Sequence, residues 1–524
     1  MLFIRRPQAL ALVALCTLSF TASFYIFAPL ESTQRLQSLR SYFGSSSSFA
    51  STACPNPLAP PPPRSSRKPE CHSLPTNPEL ALEVSVCFAP DIANQGHFLI
   101  SRTNAEECAK ADAHNPSTNP ETNALLKAYG PDIFHFSLDG DHRWDGELDV
   151  EYLGQCQYRY PFSLMSAGPF NLTIWWSFSN YRASDETQTM SLQWDLAEYV
   201  LQGKSQIVKP PASAAAGCGK TMAIPSNAAW RTATEIDYLN NVPECSRFEA
   251  TTGHFLRAHW SEHHTFHGFL YQPSGCRWTE RTSNVDADPV PIRDGWAPHS
   301  VLFWGDSHVR YAYDVMTYVY KGEWATYKRV PAMKALKKTE YIGPVNITFI
   351  WDSVLREFKH KMTCENLADF DTIVLGAGHH NLVHTDEDDH DRQWTIEGFG
   401  ELIQGLAKKF SPDACPEQKM PRIIWMGPPA RPIKLALPPK QHPLNNGWKD
   451  ARVNIRLNLF NERAWDALKG LPGAARVNLY DLSVPFANSF VDQLHMIMTD
   501  TQAAFVQELH HKLWLRQPAY FHHQ

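Results

Sequence analysis

The chain of 524 residues has no basic excess, with 48 Lys and Arg against 54 Asp and Glu and a formal net charge of −6. Without a cationic footprint for phosphates, it is not read as a nucleic-acid binder. It has no C-x-x-C pair and no His/Cys array with zinc-ligand spacing, so a structural zinc is not expected and no residue is assigned to a metal. The histidines of HWSEHHTFHG (259–268) lack regular ligand spacing, and HTDEDDHD (384–391) reads as a solvated acidic loop. In AAAGCGKT (214–221), Ala214 replaces the first glycine that a phosphate-binding loop needs for backbone approach. GDSHV (305–309) lacks the second glycine of G-x-S-x-G, which argues against an α/β-hydrolase elbow. No internal repeat is present. What remains is a globular composition, 43% hydrophobic and 19% charged, with enough length for a large core. Aromatics reach 12% with 16 Trp, a composition suited to core burial and to stacking on sugar rings.

Arg5 and Arg6 precede an uncharged run from Ala9 to Leu30. At helical rise that run spans roughly 33 Å, enough to cross a hydrocarbon core. Positive charge on the short side predicts a cytoplasmic tail at 1–8, a signal anchor at 9–30 and a lumenal remainder. A cleaved signal peptide is the competing reading, because Thr21-Ala22-Ser23 offers small residues, but the run continues through Phe24–Phe27. Of the eleven cysteines, Cys16 lies in this run and ten lie downstream. An even number in an oxidising compartment predicts disulfides of undetermined connectivity. Asn171-Leu-Thr173 and Asn346-Ile-Thr348 are candidate glycosylation acceptors.

Residues 31–79 are Ser-rich, then Pro-rich, and read as an extended stem. From 80 to 216, GELDVEYLG, QCQYRYPFSL and FNLTIWWSFS place β-branched and aromatic residues between Gly, Pro and Asn breaks, which predicts a small β-rich, sandwich-like domain. From 217 to 524 the pattern changes. HSVLFWGDS (299–307), NITFIWDS (346–353), DTIVLGAG (371–378) and RIIWMGPP (422–429) are short buried strands, with amphipathic helical stretches between and after them. That alternation predicts an α/β domain with a parallel sheet.

Functional groups of such sheets gather at the carboxyl ends of the strands. Ser307 sits at one of these ends, on a strand-to-helix turn where its own N–H lies near the helix N-terminus and can stabilise an oxyanion. Asp and Ser are also good helix caps, so GDS alone decides little. A serine nucleophile needs a base, and the base needs a partner that fixes its tautomer. Asp492-Gln-Leu-His495, just before the last helix, supplies both types at a spacing that lets the carboxylate reach the imidazole. Gly376-Ala-Gly378-His379-His380-Asn381 offers glycine N–H groups and an amide as oxyanion donors.

Gly305-Asp306-Ser307 with Arg310, Gly378-His379 and Asp492-x-x-His495 together resemble the GDSL/SGNH-like acyl-esterase family known as PC-esterases. That family includes plant trichome-birefringence-like polysaccharide O-acetyltransferases, fungal and animal sugar-acetylation proteins, and neurexophilin/PC-esterase-domain proteins. Upstream, GHFLRAHW (253–260) and YQPSGCRW (271–278) resemble the family's G-x-W and W-x-P-x-x-C region, with Phe255 and Tyr271 where Trp is more usual. The resemblance covers roughly residues 217–515. It implies an SGNH-like three-layer α/β/α domain, a Ser307 nucleophile, a His495 base and an Asp492 orienter. Gly305, Asp306, Gly378, His379 and Asn381 would line the oxyanion or substrate site. Arg310 would either bind there or form a helix-surface ion pair. The implied activity is a Golgi glycan O-acetyltransferase with no bound cofactor. Its co-substrate would be an acetyl donor, acetyl-CoA or an acetylated carrier, supplied with help from a membrane partner. The competing readings are a carbohydrate acyl esterase and a catalytically silent glycan-binding protein.

Overall fold

A computed structural model describes residues 69–89, 95–140, 142–164, 169–182, 184–187, 198–209, 243–246, 248–257, 269–273, 276, 278, 300–321, 336–343, 345–384, 394–416, 420–432, 449–450, 452–490, 494–496 and 499–513. The expected tail and anchor, and nearly all of the expected stem, lie outside these residues. Among the described residues no helix is long and apolar enough to cross a membrane.

The N-terminal part is built from two antiparallel sheets. The first has five strands in the order β1-β2-β3-β7-β6: β1 (Glu70–Leu74), β2 (Leu82–Phe88), β3 (Gln95–Arg102), β6 (Glu151–Gly154) and β7 (Gln157–Ser163). The second runs β10-β8-β4-β5-β11-β12, with β9 (Glu198–Tyr199) also paired to β8. Its strands are β4 (Ile133–Asp139), β5 (His142–Gly146), β8 (Phe170–Phe178), β10 (Ser205–Val208), β11 (Gly253–Arg257) and β12 (Phe269–Pro273). Strands β7 and β8 alternate between buried and less buried residues, as a strand with one face on a core must. The buried faces meet through aromatic rings: Phe98 stacks on Phe136 at 4.7 Å, and Phe134 meets Tyr158 edge-on at 5.4 Å.

Two features depart from the boundaries expected from sequence. Strand β1 falls within the stretch read as stem, because Cys71 bonds to Cys87 and β1 pairs with β2 along its whole length. The hairpin β11–β12, assigned to the α/β part, instead extends the second sheet through β5. It covers an edge that would otherwise carry unpaired backbone groups. Its rings Phe255 and Phe269 pack on Phe486, at 4.8 and 5.6 Å. The described residues accordingly belong to one compact unit. Buried ions cross the seam between the two parts. Arg456 pairs with Glu186 at 3.1 Å, and Glu186 also accepts from the Ile396 N–H and the Ser117 hydroxyl.

The third sheet has six strands in the order β14-β15-β13-β16-β18-β20. These are β13 (Ser300–Gly305), β14 (Lys337–Ile342), β15 (Val345–Trp351), β16 (Thr372–Gly376), β18 (Arg422–Met426) and β20 (Ala475–Val477); the short pair β17 (Val383–His384) and β19 (Lys449–Asp450) lies outside it. All neighbours are parallel except β14, which pairs antiparallel with β15. After their first residues, Ser300, Thr372 and Arg422, the central strands are apolar, as strands buried on both faces must be. From β13 the chain crosses first to β15 on one side, then to β16 on the other. The carboxyl ends of β13 and β16 therefore flank a topological switch point, where ligands bind in open α/β sheets. Two helix pairs pack with this sheet. One is α3 (Ser307–Lys321) with α9 (Asp500–Leu513), and the other is α6 (Ile396–Lys409) with α7 (Asn454–Leu468). Helices α1 (Ala105–Ala113) and α2 (Pro120–Tyr129) belong to the N-terminal part, while α4 (Arg356–Lys361), α5 (Cys364–Ala368) and α8 (Leu479–Ser483) are short.

Among the described residues four disulfides join Cys71–Cys87, Cys108–Cys156, Cys245–Cys276 and Cys364–Cys415. They fit a protein of an oxidising, secretory or extracellular environment. Both sequon asparagines lie in strands, Asn171 in β8 and Asn346 in β15, and both are half-buried.

Candidate active site

Ser307 is the first residue of α3, directly after β13. The turn is tight because glycines end the neighbouring strands. A Cβ on Gly305 would lie 2.1 Å from the Gly376 carbonyl oxygen, and one on Gly376 would lie 2.6 Å from that of Met426. Only glycine lets the three strand ends close up in this way. Gly378, at φ +144°, lies against Pro428 in the loop after β16.

Asp306 caps α3. Its buried carboxylate accepts the His308 N–H at 2.9 Å and also the Val309 N–H, and its carbonyl accepts the Arg310 N–H. Burial outweighs these bonds and pushes the carboxyl pKa up to about 7. The first-turn donor that Asp306 does not take is the Ser307 N–H, which stands at the positive end of the helix dipole. Asp306 therefore shapes the turn and is not itself placed as an oxyanion donor.

His495 comes from the other end of the chain, 188 residues away, and its Nε2 stands 2.7 Å from the Ser307 Oγ. For the hydroxyl to donate to Nε2, that nitrogen must be unprotonated and Nδ1 must carry the ring proton. The Tyr311 ring meets the same imidazole edge-on at 4.6 Å and limits its swing. Asp492 lies outside the described residues. No family model and no curated protein matches the chain.

The remaining expected residues divide between site and scaffold. His379 is buried, and its Nε2 donates to the Pro429 carbonyl at 2.9 Å, which turns that nitrogen away from the serine. The Asn381 amide donates to the Val354 carbonyl at 3.3 Å and so ties the loop after β16 to the turn after β15. Arg310 lies over Trp351 at 5.3 Å, and the Trp351 ring meets His380 edge-on at 5.8 Å. Arg310 is thus part of a cation–aromatic wall beside the site.

Three residues not singled out from sequence also belong here. His308 follows the serine, is 2% exposed, and among the described residues has no hydrogen-bond partner on either ring nitrogen. Its ring lies between those of His379 and His495, at 4.7 and 4.8 Å. Burial, reinforced by the neighbouring histidines, holds its pKa well below the usual imidazole value, so it is neutral at neutral pH. Burial and the nearby Arg452 push His380 down to about 4. Asp352 ends β15 and accepts from Trp304 Nε1 at 3.0 Å and the Phe358 N–H at 2.7 Å, which fixes the turn beside the serine. The adjacent GDSH and GHH motifs and the strand-terminal Asp of FIWDS were the available signals. Nothing in the sequence showed that the two histidine motifs face each other.

Among the described residues no group of three or more His, Cys, Asp or Glu could hold a metal. The cluster is four imidazoles, those of His308, His379, His380 and His495, and one hydroxyl, a set suited to proton transfer.

Proposed function

We propose that this protein is a serine acyl-transfer enzyme that acetylates a glycan hydroxyl in the secretory pathway. The observation that carries the reading is the 2.7 Å contact between Ser307 Oγ and His495 Nε2, between residues far apart in sequence, at the switch point of the parallel sheet. A hydroxyl poised on an unprotonated imidazole is the nucleophile–base pair of acyl transfer. The strand order and the GDS and D-x-x-H residues support an SGNH-like α/β/α reading and the likeness to PC-esterases.

In this reading His495 Nε2 takes the Ser307 proton as Oγ attacks the acyl carbonyl carbon of the donor. The Ser307 N–H and the α3 dipole stabilise the oxyanion of the tetrahedral intermediate. Collapse expels the donor's leaving group, which takes the proton from His495, and leaves an acyl ester on Oγ. A sugar hydroxyl then enters and gives its proton to His495. Its oxygen attacks the ester carbonyl, and Ser307 recovers its proton as the acetylated sugar departs. Asp492 would hold Nδ1–H in place. The donor is an activated acetyl compound, acetyl-CoA or an acetylated carrier, and the enzyme is anchored in the Golgi membrane by its N-terminal segment.

The test is incubation of the full chain with an activated acetyl ester, with and without oligosaccharide, followed by peptide mass spectrometry. An acetyl adduct on Ser307 that oligosaccharide discharges into acetylated sugar is the expected result. Acetate release that no glycan alters would make the protein an esterase. No adduct on Ser307, with a Ser307→Ala variant behaving as the parent does, would overturn the reading and leave a non-catalytic glycan-binding protein.

A further inference from the structure

The acyl-transfer mechanism makes no use of the chain's two sequons, Asn171-Leu172-Thr173 and Asn346-Ile347-Thr348. Both occupy the same kind of place. Asn171 lies in β8 beside β10, and Asn346 lies in β15 beside β14. Among the described residues β10 and β14 are terminal strands of their sheets. In the antiparallel registers Asn171 stands directly opposite Ile207, and Asn346 directly opposite Tyr341. Directly opposed residues of such a pair carry their side chains on one face, with Cβ atoms about 4.5–5.5 Å apart. Each sequon asparagine therefore has one large apolar neighbour on its outer side.

Those two neighbours are the most exposed large apolar side chains among the described residues. Tyr341 is 76% exposed and Ile207 is 70% exposed, ahead of Leu336, Phe248 and Leu153. A single exposed apolar side chain needs no explanation. Here the two most open ones face the two sequons. Asn171 lies on the face of β8 opposite to the core residues Phe170, Leu172 and Ile174. Tyr341 lies on the face of β14 opposite to Lys338 and Glu340, which reach α3 through Tyr313 and Lys321. The Asn346 carboxamide oxygen accepts the Thr348 hydroxyl at 3.3 Å, which leaves the nitrogen, the atom to which a glycan is joined, outside that bond.

We infer that Asn171 and Asn346 both carry N-linked oligosaccharides, and that Ile207 and Tyr341 are the platforms on which the first sugar of each glycan rests. The apolar face of an N-acetylhexosamine ring packs on such a side chain and removes it from water. In the transfer, the asparagine Nδ2 bonds to the anomeric carbon of that sugar as the bond from this carbon to a lipid diphosphate breaks. The lipid diphosphate leaves, and the amide gives up one proton. The co-reactant is the lipid-diphosphate-linked oligosaccharide of the secretory pathway. Because both asparagines lie in paired strands, transfer precedes strand pairing, and the folded chain must then leave room for the sugar. The open platforms supply that room. A branched oligosaccharide also stands beside each terminal strand, whose unpaired backbone groups are otherwise a template for association. The inference needs only the oxidising environment that the disulfides fit, and not the acyl-transfer reading.

The experiment is expression of the full chain in a eukaryotic secretory host, release of N-glycans with a peptide-N-glycosidase in heavy-oxygen water, and peptide mass spectrometry. Hydroxyl-radical footprinting of the folded protein, before and after release, reads the exposure of Ile207 and Tyr341. The expected result is a labelled aspartate in place of each sequon asparagine. Oxidation of Ile207 and Tyr341 should rise about twofold on release, because a stacked sugar covers one of the two faces of a side chain. Two variants keep the test independent of the releasing enzyme. Asn171→Gln should raise oxidation at Ile207 alone, and Asn346→Gln at Tyr341 alone, in samples that thermal unfolding shows to be folded. An asparagine without a glycan, or an opposing side chain whose oxidation is unchanged by loss of that glycan, overturns the assignment at that site.

Discussion

Replacing His495 by alanine removes the acceptor that stands 2.7 Å from the Ser307 hydroxyl and leaves the rest of the strand-to-helix turn intact. The turn is held by Asp306, by the strand-end glycines and by Asp352, none of which depends on the imidazole. The stability cost is that of one half-buried ring and its hydrogen bonds, about 1–3 kcal/mol. The cost to reactivity is that of a general base, about 10²–10⁴ in rate, or about 3–5 kcal/mol of barrier. The assay is the rate at which a fluorophosphonate labels Ser307, read by mass spectrometry, beside thermal unfolding of the same samples. His495→Ala should unfold within a few degrees of the parent and label at least a hundredfold more slowly. Added imidazole should restore part of the rate, because the vacated volume lies beside the hydroxyl. A folded His495→Ala protein that labels within about threefold of the parent would refute the assignment of the base.

Asp306→Asn keeps the acceptor for the His308 and Val309 N–H groups but removes a carboxyl whose pKa is raised to about 7 on folding. The folded state then holds a proton that the unfolded state has released between about pH 4 and 7. That group's contribution to stability therefore falls as pH rises through this window and is flat above it. Urea unfolding at pH 5 and pH 8 should show a difference between variant and parent that grows with pH, by up to about 3 kcal/mol. Gly305→Ala would drive a Cβ to 2.1 Å from the Gly376 oxygen and should cost more than about 4 kcal/mol or abolish folding, whereas Gly470→Ala, with nothing within 4 Å, should change stability little; thermal melts of the pair compare them. Arg456→Ala leaves Glu186 buried without its cation and should cost about 3–5 kcal/mol in chemical denaturation.

The parallel strands were legible because VLFW, IVL and IIWM are continuous apolar runs ended by Gly, a pattern set by burial on both faces. The serine and the histidine were legible because a strand-to-helix turn and a pre-helix loop place chemistry-bearing residues where the chain can expose them. The boundaries were less so. Whether the β11–β12 hairpin joins one sheet or another depends on which edge is open, and an open edge exists only once β5 is paired with β4. Asn381 illustrates the same limit for the site: that one of its amide N–H groups reaches the Val354 carbonyl depends on the turn after β15, which only the folded chain brings near.

Local sequence alone determined the periodic runs, the breaks between them, the charge balance and the cysteine count, because each depends only on neighbours along the chain. Tertiary structure alone decided that β13 lies between β15 and β16, that a histidine 188 residues away meets the serine, and that His308 is walled in by two other imidazoles. The physical reason is that strand order and burial are set by which apolar faces close on one another. That choice is made by the whole folded chain, and no short stretch of sequence contains it.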